Sequence, residues 1–178
     1  PTDTSKFNSR NNGNALPEWD ADACTQCGAC SMACPQGAIR IKAYDDSYLE
    51  NAPAAFQSVK AIDDDFQIDL LNYTVQVNPD QCTSCNNCVD ACPAKALVMK
   101  GKSEIDSGHN SDNACHTELV EVHSKYGNER ENWKHFETIP EFDRTKLDTK
   151  KVSQQQLQEP LFKYSIGVDG CGEAPYLK

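Results

Sequence analysis

Cys24-Thr-Gln-Cys27-Gly-Ala-Cys30-Ser-Met-Ala-Cys34-Pro35 and Cys82-Thr-Ser-Cys85-Asn-Asn-Cys88-Val-Asp-Ala-Cys92-Pro93 decide how this chain of 178 residues is read. Both stretches follow C-x2-C-x2-C-x3-C-P, and the second begins 58 residues after the first, from 24 to 82. Three cysteines spaced by two residues let one short loop reach three corners of a cubane iron–sulfur cluster. The backbone N–H groups of such a loop point inward at the sulfides, as in an anion-binding nest. The fourth cysteine lies four positions on and already faces away, and the proline behind it stops the turn from continuing. Its thiolate is therefore free to close a second cubane.

This spacing is the ligand run of bacterial two-cluster ferredoxins, in which the fourth cysteine of each run serves the other cluster. The expected sets are Cys24, Cys27, Cys30 and Cys92 for cluster one, and Cys82, Cys85, Cys88 and Cys34 for cluster two. Zinc is disfavoured, because its sites take paired C-x2-C units or cysteine mixed with histidine, and neither run contains a histidine. A disulfide framework suits small secreted domains, and no secretory signal is visible here.

The strands expected around the runs make an α+β body. After Pro35, residues 36–42 read Gln-Gly-Ala-Ile-Arg-Ile-Lys, and after Pro93, residues 94–100 read Ala-Lys-Ala-Leu-Val-Met-Lys. These look like matched short strands. Residues 73–77 alternate as a strand that could pair with one of them, and a short strand is expected within 17–23. Ala29, Ala33, Ile39, Val89, Ala91 and Leu97 are candidates for the apolar lining, and Trp19 reads as a packing residue.

Farther out, residues 1–16 read as a polar arm. Residues 17–102 form the two-cluster unit, with 43–72 as a long acidic insertion. Ala54, Ala55, Val59 and Ile62 hint at a short helix within that insertion. Residues 103–150 are polar and hold all four histidines: His109, His116, His123 and His135. A helix is expected from Lys125 to Trp133, with Trp133 and Phe136 covering a neighbour. Cys115, His116 and His123 match no metal-ligand spacing and read as solvated. In residues 151–178, Leu161, Phe162 and Tyr164 resemble the start of a buried strand, and Gly167, Gly170 and Gly172 would permit a tight turn beside a ligand.

Hydrophobic residues make up 38 % of the chain, which is low for a self-sufficient core, but metal–thiolate bonds contribute directly to folding in small cluster domains. The formal net charge of −10 argues against nucleic acid or an anionic membrane as partner and suits a basic patch on a redox partner. No apolar run is long enough to span a bilayer. Ten cysteines without a secretory signal suggest a reducing, cytoplasmic setting. The chain starts at Pro1 without an initiator methionine, which fits a piece of something longer.

Three stretches resemble the large multidomain pyruvate:ferredoxin (flavodoxin) oxidoreductases. They are Pro17-Glu-Trp through the first run to Arg40, Val75-Gln-Val-Asn-Pro-Asp-Gln-Cys82 through the second run to Lys100, and Gln154 to Tyr176. The third is similar to that family's Gln-x-x-x-Pro-Leu-Phe approach to a Cys-x-Gly-Cys-Gly-Glu-x-Pro-Tyr loop, which ordinary ferredoxins lack. The resemblance implies a ferredoxin-like domain followed at 151–178 by the entry to a thiamine-diphosphate domain, with Mg²⁺ and that cofactor in the full-length enzyme. The whole enzyme would convert pyruvate and coenzyme A to acetyl-CoA and carbon dioxide. Electrons would leave through two 4Fe–4S clusters to ferredoxin or flavodoxin, and the enzyme would be a homodimer. Cys171 matches one ligand of a proximal cluster, but Val168 stands where the family has the other cysteine of that loop, and valine cannot ligate iron. Residues 107–127 look inserted relative to the family pattern. The alternative reading is a free-standing two-cluster ferredoxin, which leaves residues 151–178 unexplained.

Overall fold

A computed structural model describes residues 13–62, 71–101 and 127–159. Its centre is a repeat of strand, cysteine loop, short helix and strand. In the first half these are β1 (Ala15–Trp19), the first loop, α1 (Ala29–Ala33) and β2 (Ile39–Tyr44). A 3₁₀ turn (Asp46–Leu49) and β3 (Val59–Lys60) follow. The second half runs β4 (Asn72–Val77), the second loop, α2 (Asn87–Asp90) and β5 (Leu97–Gly101). Beyond it come α3 (Gly127–Thr138), a 3₁₀ turn (Arg144–Lys146) and α4 (Val152–Gln155).

The halves exchange strands. β1 pairs antiparallel with β5, from Ala15 opposite Gly101 to Trp19 opposite Leu97. β2 pairs antiparallel with β4, from Ile39 opposite Val77 to Tyr44 opposite Asn72, and β3 extends that sheet on the far side of β4. Each half therefore closes only by borrowing an edge from the other. The hydrogen bonds repeat at the same interval as the cysteines. The Asp20 N–H donates to Ala96 O at 2.9 Å, and the Asn78 N–H donates to Ala38 O at 2.7 Å. Asp20 Oδ1 accepts from the N–H groups of Asp22 and Ala23, and Asn78 Oδ1 accepts from the Asp80 N–H, so each cysteine loop opens on the same side-chain-capped turn.

Strand periodicity divides the two faces of the β2–β4 pair. Ile39, Ile41 and Ala43 of β2 and Tyr73 and Val75 of β4 join Trp19, Leu97 and the cysteines in the central core. On the other face lie Arg40, Lys42, Asn72, Thr74 and Gln76, all buried. Burial of polar groups there is matched by hydrogen bonds: Thr74 Oγ1 donates to Gln57 O at 2.6 Å, Gln76 Nε2 to Thr74 Oγ1 at 2.9 Å, and Asn72 Nδ2 to Asp46 Oδ1 at 2.6 Å. Lys42 Nζ donates to the carbonyls of Phe136 (2.8 Å) and Ile139, and lies 4.6 Å from the centre of the Phe136 ring. A cation at the end of a helix meets both its unpaired carbonyls and its negative pole. Arg40 reaches Glu159 at 3.2 Å.

Helix α3 is held by a second apolar cluster of Tyr44, Phe56, Trp133, Phe136 and Ile139. The expected cover by Trp133 and Phe136 is thus present, and their rings stack with centroids 5.0 Å apart. Arg130 of α3 grips Asp80 through Nη2 at 2.7 Å and Nε at 3.1 Å, tying the helix to the turn before the second cysteine run. His135, expected to be solvated, instead packs edge-on against Phe56 at 4.7 Å.

Several local expectations need correction. No helix forms over 54–62; turns there lead into β3, where Val59 pairs with Tyr73. Pro53 and the β-branched Val59 favour that extended course. The strands after each Cys-Pro begin at Ile39 and Leu97, not at 36 and 94. The intervening turns need left-handed backbone at Gly37 (φ 61) and Lys95 (φ 52). β1 starts at Ala15, ahead of the strand expected within 17–23. Parts of 43–72 are core: Phe56, Ala61 and Leu71 are buried. Of the expected lining residues, Ile39 and Leu97 are core, Val89 packs against it, and Ala29, Ala33 and Ala91 are half-buried. The strand expected at Leu161–Tyr164, the Cys115, His116 and His123 group, and Val168 and Cys171 lie outside the described residues.

Candidate iron–sulfur centres

The two cysteine loops have the same backbone. Gln26 and Ser84 adopt φ 55 and φ 56, and Gly28 and Asn86 adopt φ 74 and φ 68. Left-handed residues at these positions turn the N–H groups of the loop toward its concave side, the nest that an anionic cluster requires. Sulfur atoms accept from the backbone at equivalent places. Gln26 N–H donates to Cys24 Sγ at 3.3 Å, and Ser84 N–H bonds Cys82. Ala38 N–H donates to Cys34 Sγ at 3.3 Å, and Ala96 N–H donates to Cys92 Sγ at 3.2 Å.

The structure brings Cys34 to the second loop. Cys34, Cys82, Cys85 and Cys88 line one cavity, closed by Pro17, Ile39, Val77 and Met99. Around the first loop, burial pushes the Cys30 thiol up to about 12, and the neighbouring thiols of Cys24, Cys27 and Cys88 add to the rise. Burial likewise pushes Cys88 up to about 12, with Cys34, Cys82 and Cys85 contributing. Tyr73 is raised well above the ordinary tyrosine value by burial and by Cys30, Cys24 and Cys27, which places its ring beside the first loop's thiols. Cys92 packs into the same core as Cys24 and Cys30.

This donor set suits a cluster better than a lone ion. Among the described residues, no three histidine, cysteine, aspartate or glutamate side chains converge closely enough to hold one metal ion. The thiols are instead arranged around a space, as a four-cornered cluster demands. Without iron, buried thiols at this density keep their protons; positive iron makes thiolates favourable and links cluster assembly to folding.

The loops differ in their cover. Gln26 is buried, donating through Nε2 to Lys60 O at 2.8 Å and accepting at Oε1 from the Ile62 N–H at 3.0 Å. A Cβ at Gly28 would stand 3.3 Å from Gln156 Cβ, Ser153 Cα and Val152 O, so α4 lies directly over the first loop. In the second loop Ser84 bonds the backbone of Ala15 through both its N–H and its carbonyl, while Cys85 is exposed. Sequence reasoning missed Gln26, Lys42, Arg130 and α4, because their partners lie 34 to 124 residues away along the chain, and no local pattern marks such contacts.

Comparison with known proteins agrees with this geometry. A 4Fe-4S dicluster domain model matches residues 23–96, which contain both cysteine runs. The chain carries a 4Fe–4S dicluster domain. A second 4Fe-4S dicluster model matches residues 74–131. It overlaps the first on the second run, so the two matches describe one pair of clusters and not two pairs. The chain is 46 % identical over 178 residues to the pyruvate-flavodoxin oxidoreductase of Nostoc sp., 43 % to that of Trichormus variabilis, and 37 % to a probable pyruvate-flavodoxin oxidoreductase of Escherichia coli. Each alignment covers the whole chain and about 14 % of the relative, so this dicluster segment is homologous to one part of much longer oxidoreductases.

Proposed function

We propose that this dicluster segment relays single electrons inside a pyruvate:ferredoxin/flavodoxin oxidoreductase, from the oxidative decarboxylation of pyruvate with coenzyme A to a ferredoxin or flavodoxin. The observation that carries the reading is the shared cavity of Cys34, Cys82, Cys85 and Cys88, in a chain homologous along its entire length to such enzymes. Cys24, Cys27, Cys30 and Cys92 would hold one cluster, and Cys82, Cys85, Cys88 and Cys34 the other. Each bound cluster supplies a one-electron redox centre. The chain's own residues set the surroundings: Tyr73 and Gln26 shield the first loop, backbone N–H groups bond the cysteine sulfurs, and the exposed Cys85 marks where an external acceptor comes nearest.

On this reading residues 1–16 are an arm, 43–72 an insertion in the unit 17–102, and 103–150 a polar connection with an inserted segment. Residues 151–178 lead into a thiamine-diphosphate domain. The remaining domains are partners, the full enzyme is a cytoplasmic homodimer, and Cys171 is a ligand of the next cluster. Alignment through residues 151–178 favours this over a free-standing ferredoxin, which has no use for them. Among the described residues no helix is long and apolar enough to cross a membrane.

The test uses the complete oxidoreductase carrying Cys34→Ala. Pyruvate decarboxylation with coenzyme A and an artificial small-molecule oxidant should persist, while flavodoxin reduction should collapse. Flavodoxin reduction at the wild-type rate would exclude the relay.

A further inference from the structure

Between β1, β4 and the first half of α3 runs a cleft unrelated to cysteine ligation, lined by Trp19, Gln76, Lys100, Glu129 and Asn132 among others. Its polar groups are not satisfied by the protein. Trp19 is 6 % exposed, and its buried indole Nε1–H has no acceptor. Asn132 is 3 % exposed, and its buried Oδ1 has no donor, although its Nδ2 donates to Ala55 O at 3.3 Å and Glu129 Oε2 at 3.2 Å. A buried polar group left unmet costs about 1–3 kcal/mol, so two in one cleft point to a missing partner.

Charge narrows the partner. Glu129 receives the Asn132 amide, and burial together with the negative Glu18 raises its carboxyl above the ordinary range. The cation lining the cleft, Lys100, is ion-paired with Glu18. One half-buried carboxylate is left without a countercharge beside a free amide oxygen. Water can fill the gap at Trp19 or Asn132 but brings no charge to Glu129.

We propose that this cleft binds a single cationic group carried close to a carbonyl, the pairing that an arginine residue on a peptide segment presents. The guanidinium is a planar fork of five donors, able to serve the Glu129 carboxylate and Asn132 Oδ1 together, which a compact ammonium does less well. The neighbouring carbonyl accepts from Trp19 Nε1–H. This site is independent of the electron-relay reading and stands or falls separately.

Calorimetric titration of the cluster-loaded protein tests it, with N-acetyl-arginine amide as probe, N-acetyl-citrulline amide as the neutral isostere and free arginine as a third arm. Saturable binding of the arginine amide is expected, about tenfold or more tighter than citrulline. Glu129→Gln should weaken it by a similar factor, and Trp19→Phe by several-fold, with the visible cluster absorbance unchanged in both. Free arginine binding as tightly as the amide identifies the free amino acid as the source; weaker binding identifies a protein segment. Absence of saturable heat at millimolar probe, or equal binding by citrulline or by Glu129→Gln, would overturn the proposal and leave the cleft to water.

Discussion

The two halves share a backbone and differ in everything laid over it. Gln26 and Ser84 have the same φ to within a degree, yet Gln26 stitches its loop to residues 60 and 62, and Ser84 stitches its loop to Ala15. Gly28 is pressed by α4, while its counterpart Asn86 bonds Asp90 at 2.9 Å in an exposed contact. Lys42 and Lys100 are also counterparts, one buried under α3 and the other on a half-exposed ion pair. Repeated ligand geometry fixes where thiolates can stand; unrepeated segments fix how dry each site is. Since exposure and hydrogen bonding tune iron–sulfur potentials, two clusters held by near-identical loops should differ in potential.

The largest effect expected from breaking the symmetry comes from the fourth cysteines. Cys34→Ala should remove the cluster of the second loop, and Cys92→Ala that of the first, each lowering iron from ~8 to ~4 atoms per chain. Anaerobic iron and sulfide analysis with electron paramagnetic resonance checks this; loss of each variant's own-loop cluster would refute the exchange of ligands.

The paired lysines come next. Lys42→Met strips charged donors from two buried carbonyls and should destabilise by about 2–3 kcal/mol. Lys100→Met removes a surface pair and should cost about 0–1 kcal/mol. Urea unfolding of the cluster-loaded variants compares them, and equal losses would mean the burial difference has no energetic weight.

Gly28→Ala combines left-handed strain with the close approach of α4 and should cost about 1–2 kcal/mol or more. Asn86→Gly loses a surface hydrogen bond and relieves strain, with an expected change within about 0.5 kcal/mol. Equal melting shifts would show that α4 does not press on the first loop.

The smallest effect concerns α3, which has no counterpart in the repeat. Glu129 is harder to ionise folded than unfolded, so its unfavourable contribution is absent when it is protonated in both states and grows as pH rises through the unfolded and then the folded value. Glu129→Gln should therefore stabilise by under ~1 kcal/mol near neutral pH, and the gain should shrink as pH falls toward the ordinary glutamate range. Unfolding followed from about pH 8 to about pH 5 would show a constant difference if Glu129 is not desolvated.

Much of this molecule was legible because its signals are local. Eight cysteines at fixed spacing, the strand at 73–77 and the aromatic pair Trp133 and Phe136 each announce themselves within a few residues. The reading failed where partners are distant. Arg40 and Lys42 end an apolar run and look like a solvent edge, yet both are buried because α3 and Glu159 return over them. Ala54 to Ile62 suggests a helix when read alone, and strand pairing with β4 overrides it.

The chain's order of residues by itself determined which atoms can grip iron and the turn that presents them, because a loop of C-x2-C-x2-C leaves its thiols few directions to face. Tertiary structure alone decided that Cys34 meets the second loop, that one loop is roofed by α4 and the other left near solvent, and that Trp19, Glu129 and Asn132 share a cleft. These outcomes rest on antiparallel strand exchange between halves and on helices arriving from far along the chain, and burial free energy at such distances leaves no periodic trace in sequence.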